Sequence, residues 1–353
     1  MRTNGKKLKL GIIGAGAIAQ AYARACEKCE NVSIVAVADI RPEAASALAE
    51  GFGCQSFGSV EALTQRAKPD AAIVCTPPST HLDVCLHLIE RGIHVLCEKP
   101  LTLDVRGATH MVEAARKAGV TLTMGSKFRY VDDVIRAKSI VTSGILGDIV
   151  LFENVFTSQV DMTLRWNSEP SISGGGVLID NGSHSVDIVR YFLGPLAELQ
   201  VVEGRRVQSL QVEDTVRILV RSVSGVMGSI DLSWSINKEQ PNYISIYGSR
   251  GTVFIGWKES KYRQSSSRDW IVFGHGYDKV QAFRSQVVNF ANALLYGETL
   301  LINAQDALAS VQAVEAAYVA LRQSRWTRVR PFWRASVQPK SNGHDRVAVA
   351  VAP

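Results

Sequence analysis

The run Leu8–Ile13 leads directly into Gly14-Ala15-Gly16-Ala17-Ile18-Ala19, and a helical pattern follows through Cys29. This GxGxxA segment, set between a strand and a helix, constrains the chain more than any other feature. Gly14 permits a tight turn, Gly16 lets the backbone approach a pyrophosphate, and Ala19 lets the helix pack closely on the strand. The helix start then offers free N–H groups and the positive end of its dipole to an anion. Alone, the motif is also compatible with a plain tight turn. Its place at the first strand–helix junction of an alternating series favours a dinucleotide site built from Gly14, Ala15, Gly16, Ala17 and Ile18.

The alternation continues to about residue 125. Leu8–Ile13, Val32–Asp39, Ala71–Cys75, His94–Cys97 and Val120–Met124 read as strands. Ala17–Cys29, Pro42–Glu50, Val60–Arg66, His81–Arg91 and Leu103–Ala118 read as helices, with Gly92 and Gly119 at C-cap positions. Strands apolar throughout, separated by helices, imply a doubly wound parallel α/β sheet covered on both faces. Asp39 ends the second strand, where an acid accepts ribose hydroxyls and repels a 2′-phosphate. NAD is therefore favoured over NADP, with Arg41 the residue that would answer a 2′-phosphate. A helix N-cap ahead of Pro42 is the structural alternative for Asp39. Ligands of such sheets sit beyond the strand carboxyl ends. Two of those ends are polar: Cys75-Thr76-Pro77-Pro78-Ser79-Thr80-His81 and Cys97-Glu98-Lys99-Pro100. Thr76, Pro77 and His81 are cofactor-side candidates. Thr80 also suits a helix N-cap, and His81 suits a plain first-turn residue.

After Gly125 the pattern changes. A helix near Asp132–Ser143 and a strand near Asp148–Gln159 precede a helix at Val177–Leu193. Alternating strands follow at Asp214–Val223, Val226–Ile236, Asn242–Tyr247 and Thr252–Trp257, and two helices close the fold at Lys279–Tyr296 and Asn303–Gln323. Lys258–Asp269 reads as a loop. The expectation is an α+β unit with a large, mainly antiparallel open sheet. The divisions read as 1–125 for the nucleotide domain, 126–335 for a substrate and oligomerisation domain, and 336–353 for a disordered tail. On the sheet, Val216, Ile218 and Val220 alternate with Arg217 and Arg221, a pattern that suits burial against a second subunit or against the chain's own helices.

Charge excludes a body-wide nucleic-acid surface. The formal excess is +6, and seven bases with one acid between Leu321 and Pro353 account for all of it. No apolar run is long enough to span a membrane, and the basic start is followed by glycines rather than a signal-peptide core. The reading is a cytoplasmic protein. All six cysteines lie in the first hundred residues. Cys26-x-x-Cys29 has no second pair at ligand spacing, so no metal is expected.

Glu98-Lys99-Pro100 resembles a signature of the glucose-fructose oxidoreductase / inositol dehydrogenase (Gfo/Idh/MocA) family. So does Gly174-Gly175-Gly176-Val177-Leu178-Ile179-Asp180-Asn181-Gly182-Ser183-His184, which is similar to that family's Gly-rich entry to a helix carrying Asp-x-x-x-His. The phosphate loop, the Thr-Pro-Pro loop and both signatures occur in family order over roughly residues 8–330. Independently of the name, Asp180 and His184 are an i,i+4 pair on one helix face, and Asp187 continues it. Gly182 costs a helix interior about 1 kcal/mol relative to Ala, which points to a close approach there by a ligand or backbone.

The resemblance implies a Rossmann domain plus an α+β domain, and a dehydrogenase moving hydride between a sugar or polyol alcohol and NAD. A histidine suits the proton-abstracting base, which makes His184 the base. Lys99 then stabilises alkoxide charge, and Asp180 orients His184 or the substrate. Glu98 resembles a contact to the nicotinamide side, and Pro100 permits a cis bond aiming Lys99 into the cleft. In Lys127-Phe128-Arg129-Tyr130, Lys-Phe-Arg stands where the family usually has Asn-Arg, and Arg129 is a substrate candidate. Trp166 and Asn167 are candidates for a pocket wall. A homodimer or homotetramer is implied. Two alternatives remain open: a redox-neutral NAD-using glycosidase or lyase, and a non-catalytic NAD(H)-binding regulator.

Overall fold

The computed structural model describes residues 7–329. The expected tail at 336–353 lies outside them, as do the bases from Arg330 onward. Two sheets organise the described chain. The first contains β1 (Leu8–Ile13), β2 (Val32–Ala38), β3 (Gln55–Phe57), β4 (Ala71–Val74), β5 (His94–Glu98) and β6 (Leu122–Gly125), ordered β3-β2-β1-β4-β5-β6. All of its pairings are parallel. β4 and β6 are buried at every position and β1 at all but Lys9, because helices cover both faces. α1 (Ala17–Cys26) and α2 (Pro42–Glu50) pack on one face, and α3 (Val60–Arg66), α4 (His81–Ile89) and α5 (Val105–Ala118) on the other. The strand order reverses between β1 and β4, which opens a crevice at their carboxyl ends. β3 carries no signal the sequence reading caught. It is three residues long, with two of them exposed at the sheet edge.

The second half begins with α6 (Asp132–Thr142), β7 (Ile149–Thr157), α7 (Pro170–Ser173) and α8 (Val177–Leu193). Its sheet continues with β8 (Leu196–Glu203), β9 (Thr215–Ser222), β10 (Met227–Ser233), β11 (Asn242–Gly248), β12 (Gly251–Gly256), β13 (Ser260–Gln264) and β14 (Ile271–Gly274). α9 (Lys279–Tyr296), α10 (Ala304–Gln323) and β15 (Thr327–Arg328) finish the described chain. The order is β14-β13-β12-β11-β7-β10-β9-β8-β15. The sheet is mixed: β10 runs parallel to β7 at its centre, and the other neighbours are antiparallel. β7 precedes α8 and is slotted between β10 and β11, an insertion that alternation within single strands does not encode. β13 occupies the segment expected to be a loop; its polar SKYRQ sequence suits a strand near the sheet edge.

Val216, Ile218 and Val220 are buried in the core that α8 shares with β9 and β10, so they face the chain's own helices. The last two helices then return to the first sheet. Phe283 on α9 meets Tyr22 on α1 edge-on, with ring centroids 4.6 Å apart. α10 lies against both α8 and α5. The two sheets therefore share walls, and α8 faces the carboxyl ends of β5 and β6.

Candidate active site

At the β1–α1 junction, Gly14 has φ +91°. A Cβ there would sit 2.9 Å from the Cys75 carbonyl at the end of β4. Only glycine allows both the turn and this approach. Gly16 is different: a Cβ would meet nothing within 4 Å, and no side chain caps the first turn of α1. Its backbone therefore faces open space beside free N–H groups, which fits a phosphate. Asp39 binds this loop from the end of β2. Its Oδ2 accepts the Ala15 N–H at 2.7 Å and its Oδ1 accepts the Arg41 N–H at 2.9 Å. Burial works to raise the Asp39 pKa, but the Arg41 and Ala15 donors outweigh it and hold the carboxyl below its usual range. Arg41 folds over the same carboxylate, its Nε 3.2 Å from Oδ1.

The Thr76–His81 loop closes on itself. Thr80 donates to Thr76 Oγ1 or the Pro77 carbonyl, both at 2.8 Å, rather than capping α4. His81 is 0 % exposed, with Nδ1 2.8 Å from the Pro100 carbonyl and Nε2 2.9 Å from the Thr76 carbonyl. This corrects its assignment as a cofactor contact: a side chain with no accessible surface is a brace behind the pocket, tying the end of β4 to the end of β5. Glu98 is likewise set into the floor at 7 % exposure. Its Oε1 accepts from Tyr22 at 2.7 Å and its Oε2 from the Lys99 N–H at 3.2 Å. The Lys99–Pro100 peptide is cis.

Across the cleft, α8 is seated by Glu213. Its Oε1 accepts the Gly176 and Leu178 N–H groups at 3.0 and 3.1 Å and the Tyr318 hydroxyl at 2.8 Å. A Cβ on Gly175 would collide with the Tyr318 hydroxyl, and one on Gly176 with the Glu213 carbonyl. The Gly run thus lets α8 start hard against the Tyr318 side chain and the Glu213 backbone. Gly182 answers to packing too: a Cβ there would press on Leu232 of β10 at 3.2 Å.

Seated this way, one face of α8 meets three basic residues from the first half. Lys99 pairs with Asp180 Oδ1 and donates to the Asp180 carbonyl at 3.0 Å. Lys127 Nζ lies 3.4 Å from His184 Nε2. Arg129 and Asp187, 4 % and 0 % exposed, form a two-pronged pair at 2.8 and 2.7 Å. Ser126 and Ser310 add hydrogen bonds to Asp187. Burial, then Lys127 and Lys99, push the His184 pKa well below its usual value, so the ring is neutral at neutral pH. Burial, with Lys99, pushes the Lys127 amine down to about 8. The result is a buried neutral imidazole with the Lys127 amine against it and the Lys99–Asp180 pair one helical turn away.

Residues 8–126 match the family model described as the GFO/IDH/MocA oxidoreductase family, NAD-binding Rossmann fold, and residues 134–254 match the GFO/IDH/MocA C-terminal domain. The chain belongs to the GFO/IDH/MocA family. This family member is 24 % identical to the inositol 2-dehydrogenase of Rhizobium meliloti (strain 1021) over 338 residues, covering 90 % of this chain and 98 % of the relative. It is 34 % identical to the D-glucoside 3-dehydrogenase of Escherichia coli (strain K12) over 192 residues, 53 % of this chain and 54 % of that one. Its fold matches the structure of levoglucosan dehydrogenase in complex with NADH and levoglucosan at a TM-score of 0.86. Identity there is 19 %, with 92 % of this chain and 100 % of that one covered. The open backbone at Gly16 beside free N–H groups, and the Asp39 carboxylate at the end of β2, suit the NAD that the matched Rossmann fold binds.

Two expectations fare differently in this family member. Arg129 is buried at 4 % exposure, with three of its five N–H donors engaged by Asp187 and, at 3.2 Å, the Leu301 carbonyl, so it serves a structural pair rather than an open pocket wall. Trp166 is 45 % exposed on a single 3-10 turn, Trp166–Ser168. Among the described residues, no hydrogen bond or ring contact links Trp166 or Asn167 to Lys99, Asp180 or His184. The residue that sequence reading passed over is Lys127. The only available signal was the lysine standing where the family pattern has Asn. Among the described residues no three His, Cys, Asp or Glu side chains cluster as metal ligands, and no helix is long and apolar enough to cross a membrane.

Proposed function

We propose that this protein is an NAD-dependent dehydrogenase that transfers hydride between a secondary alcohol of a sugar, polyol or sugar derivative and the nicotinamide, with Lys99, Asp180 and His184 as its catalytic set. The observation that supports the reading is the pairing of Lys99, at the end of β5, with Asp180 on α8, one helical turn from His184. The substrate class draws on the relatives' names: inositol, glucoside and levoglucosan dehydrogenases.

Bound NAD supplies the hydride acceptor, held by the start of α1, Asp39 and the Thr76-Pro77 loop. The chain's own residues handle the proton. Neutral His184 takes the hydroxyl proton. Lys99 faces the oxygen and stabilises the charge that develops on it. Asp180, paired with Lys99, fixes the amine in place and offsets its charge.

The test is an NAD-reduction screen over inositols, aldoses, glycosides and sugar acids. Reduction with at least one of these is expected, and Lys99→Ala should lower kcat about a hundredfold or more while NAD affinity is largely kept. Substrate turnover without net NAD reduction would replace this reading with a redox-neutral elimination.

A further inference from the structure

The segment Gly274-His275-Gly276-Tyr277-Asp278 joins β14 to α9 and is pinned along its length. Asp133 Oδ2 accepts the Gly276 N–H at 2.8 Å, the Tyr277 N–H donates to the Trp257 carbonyl at 3.1 Å, and Asp278 caps α9. Gly276 has φ +91°, and a Cβ there would collide with the Trp257 carbonyl, just as one on Gly274 would collide with the Asp133 carboxylate. The loop therefore holds Tyr277 beside Trp257 in one position.

Tyr277 and Trp257 continue a run of rings that begins at the imidazole of α8. Phe128, just past β6, meets His184 edge-on with centroids 5.1 Å apart. Tyr277 stacks on Phe128 at 5.1 Å and an interplanar angle of 23°, and Trp257 meets Tyr277 edge-on at 5.7 Å. His184 and Phe128 are buried, Tyr277 is half-buried and Trp257 is 39 % exposed, so the run climbs from the interior to the surface. Trp257 lies on the inward side of its strand. Val253 and Ile255, which alternate with it along β12, are buried in the core, and its ring lies 4.6 Å from that of buried Tyr243. Its open surface is thus on the side of the sheet that α8 covers.

We propose that Tyr277 and Trp257 form a shelf for a second ring, and that the substrate is a glycoside rather than a free monosaccharide. The inference rests on the dehydrogenase reading above and narrows its substrate class. The ligand touches only the two rings of the run that keep accessible surface. Flat aromatic faces take the C–H face of a sugar ring or a flat aglycone, and pockets for small molecules are built of such walls with a few polar groups. The polar groups are the Lys99–Asp180 pair, which holds the reacting sugar. Two rings stand between the imidazole and Trp257, so a single sugar held at that pair ends at Tyr277 and leaves Trp257 bare. A second ring covers it. Because the loop is already fixed, little ordering cost remains when the ring arrives.

The test compares one-ring and two-ring substrates in the wild type, Trp257→Ala and Trp257→Phe. The probes are methyl glucoside and methyl galactoside against phenyl glucoside, phenyl galactoside, cellobiose, maltose and lactose. In the wild type the best two-ring compound should exceed its methyl glycoside in kcat/KM by roughly tenfold. Trp257→Ala should bring that ratio close to one, mainly through KM, and Trp257→Phe should retain most of it. A gain with the disaccharides assigns the shelf to a second sugar, and a gain confined to the phenyl glycosides assigns it to an aromatic aglycone. A wild type that turns over only one-ring alcohols, or a ratio unchanged in Trp257→Ala, would overturn the proposal. Equilibrium binding of the same compounds to the NADH-loaded protein gives a reading apart from turnover. Absence of NAD reduction with every alcohol would sink the dehydrogenase reading, while the shelf would still stand or fall on whether Trp257→Ala weakens two-ring binding.

Discussion

Lys127 holds a charge that the fold disfavours, and this has a consequence for stability. Its amine is pushed down to about 8 in the folded protein, against about 10.4 for an unperturbed lysine. Between those values the unfolded chain holds a proton that the folded chain has lost. Stability therefore falls as pH drops from about 10.4 to 8 and stays lower below that. Lys127→Met should raise the thermal midpoint at pH 7 by a few degrees or about 1 kcal/mol, and the gain should vanish above about pH 10.5. Melting curves across that range check it; a variant less stable than wild type at pH 7 would show that the lysine's contacts outweigh its burial. Lys99 and His184 were legible beforehand because their chemistry sits in short motifs. Lys127 was not, since the histidine it meets lies on a helix that only the fold brings near.

At the scale of elements, the entry to α8 illustrates how a motif can be recognised for one reason and exist for another. Gly174-Gly175-Gly176 marks the helix in the sequence, but Gly176 is required because the Glu213 carbonyl occupies the place of its Cβ. Gly176→Ala forces backbone apart, so it should destabilise by about 3 kcal/mol and lower kcat through displacement of Asp180 and His184 on the same helix. Urea unfolding with a paired activity measurement tests this, and an alanine variant of unchanged stability and activity would refute it. Arg129–Asp187 is the second such case. Both groups are fully desolvated, and removing one partner of such a pair typically costs about 3–5 kcal/mol. The pair is better understood as the joint between the end of β6 and α8 than as a substrate contact.

For the whole molecule, the larger sheet has one face buried against α8 and one that carries Val202, Leu219 and Met227 exposed among Arg217, Arg221 and Asp231. Exposed apolar side chains set among charged ones on an open sheet face suit contact with another copy. We propose that this face joins subunits into a homodimer or homotetramer. Leu219→Glu combined with Met227→Glu should shift the sedimenting species to a monomer that still binds NAD. A wild type that already sediments as a monomer would dispose of the idea.

Periodicity and punctuation were enough for the first sheet apart from its three-residue edge strand, β3. Fully apolar strands separated by capped helices leave a parallel, two-faced sheet as the way to bury them, and Gly14, Gly16 and Asp39 then belong at its crevice. Those signals are local, so one strand and the helix after it suffice to read them. Tertiary structure alone decided the rest: the insertion of β7 beside β10, the return of α9 to α1, and the alignment of Lys99, Lys127 and Arg129 with Asp180, His184 and Asp187. Each joins residues tens to hundreds of positions apart, and such pairings are set by how whole faces bury together, which no short window of sequence contains.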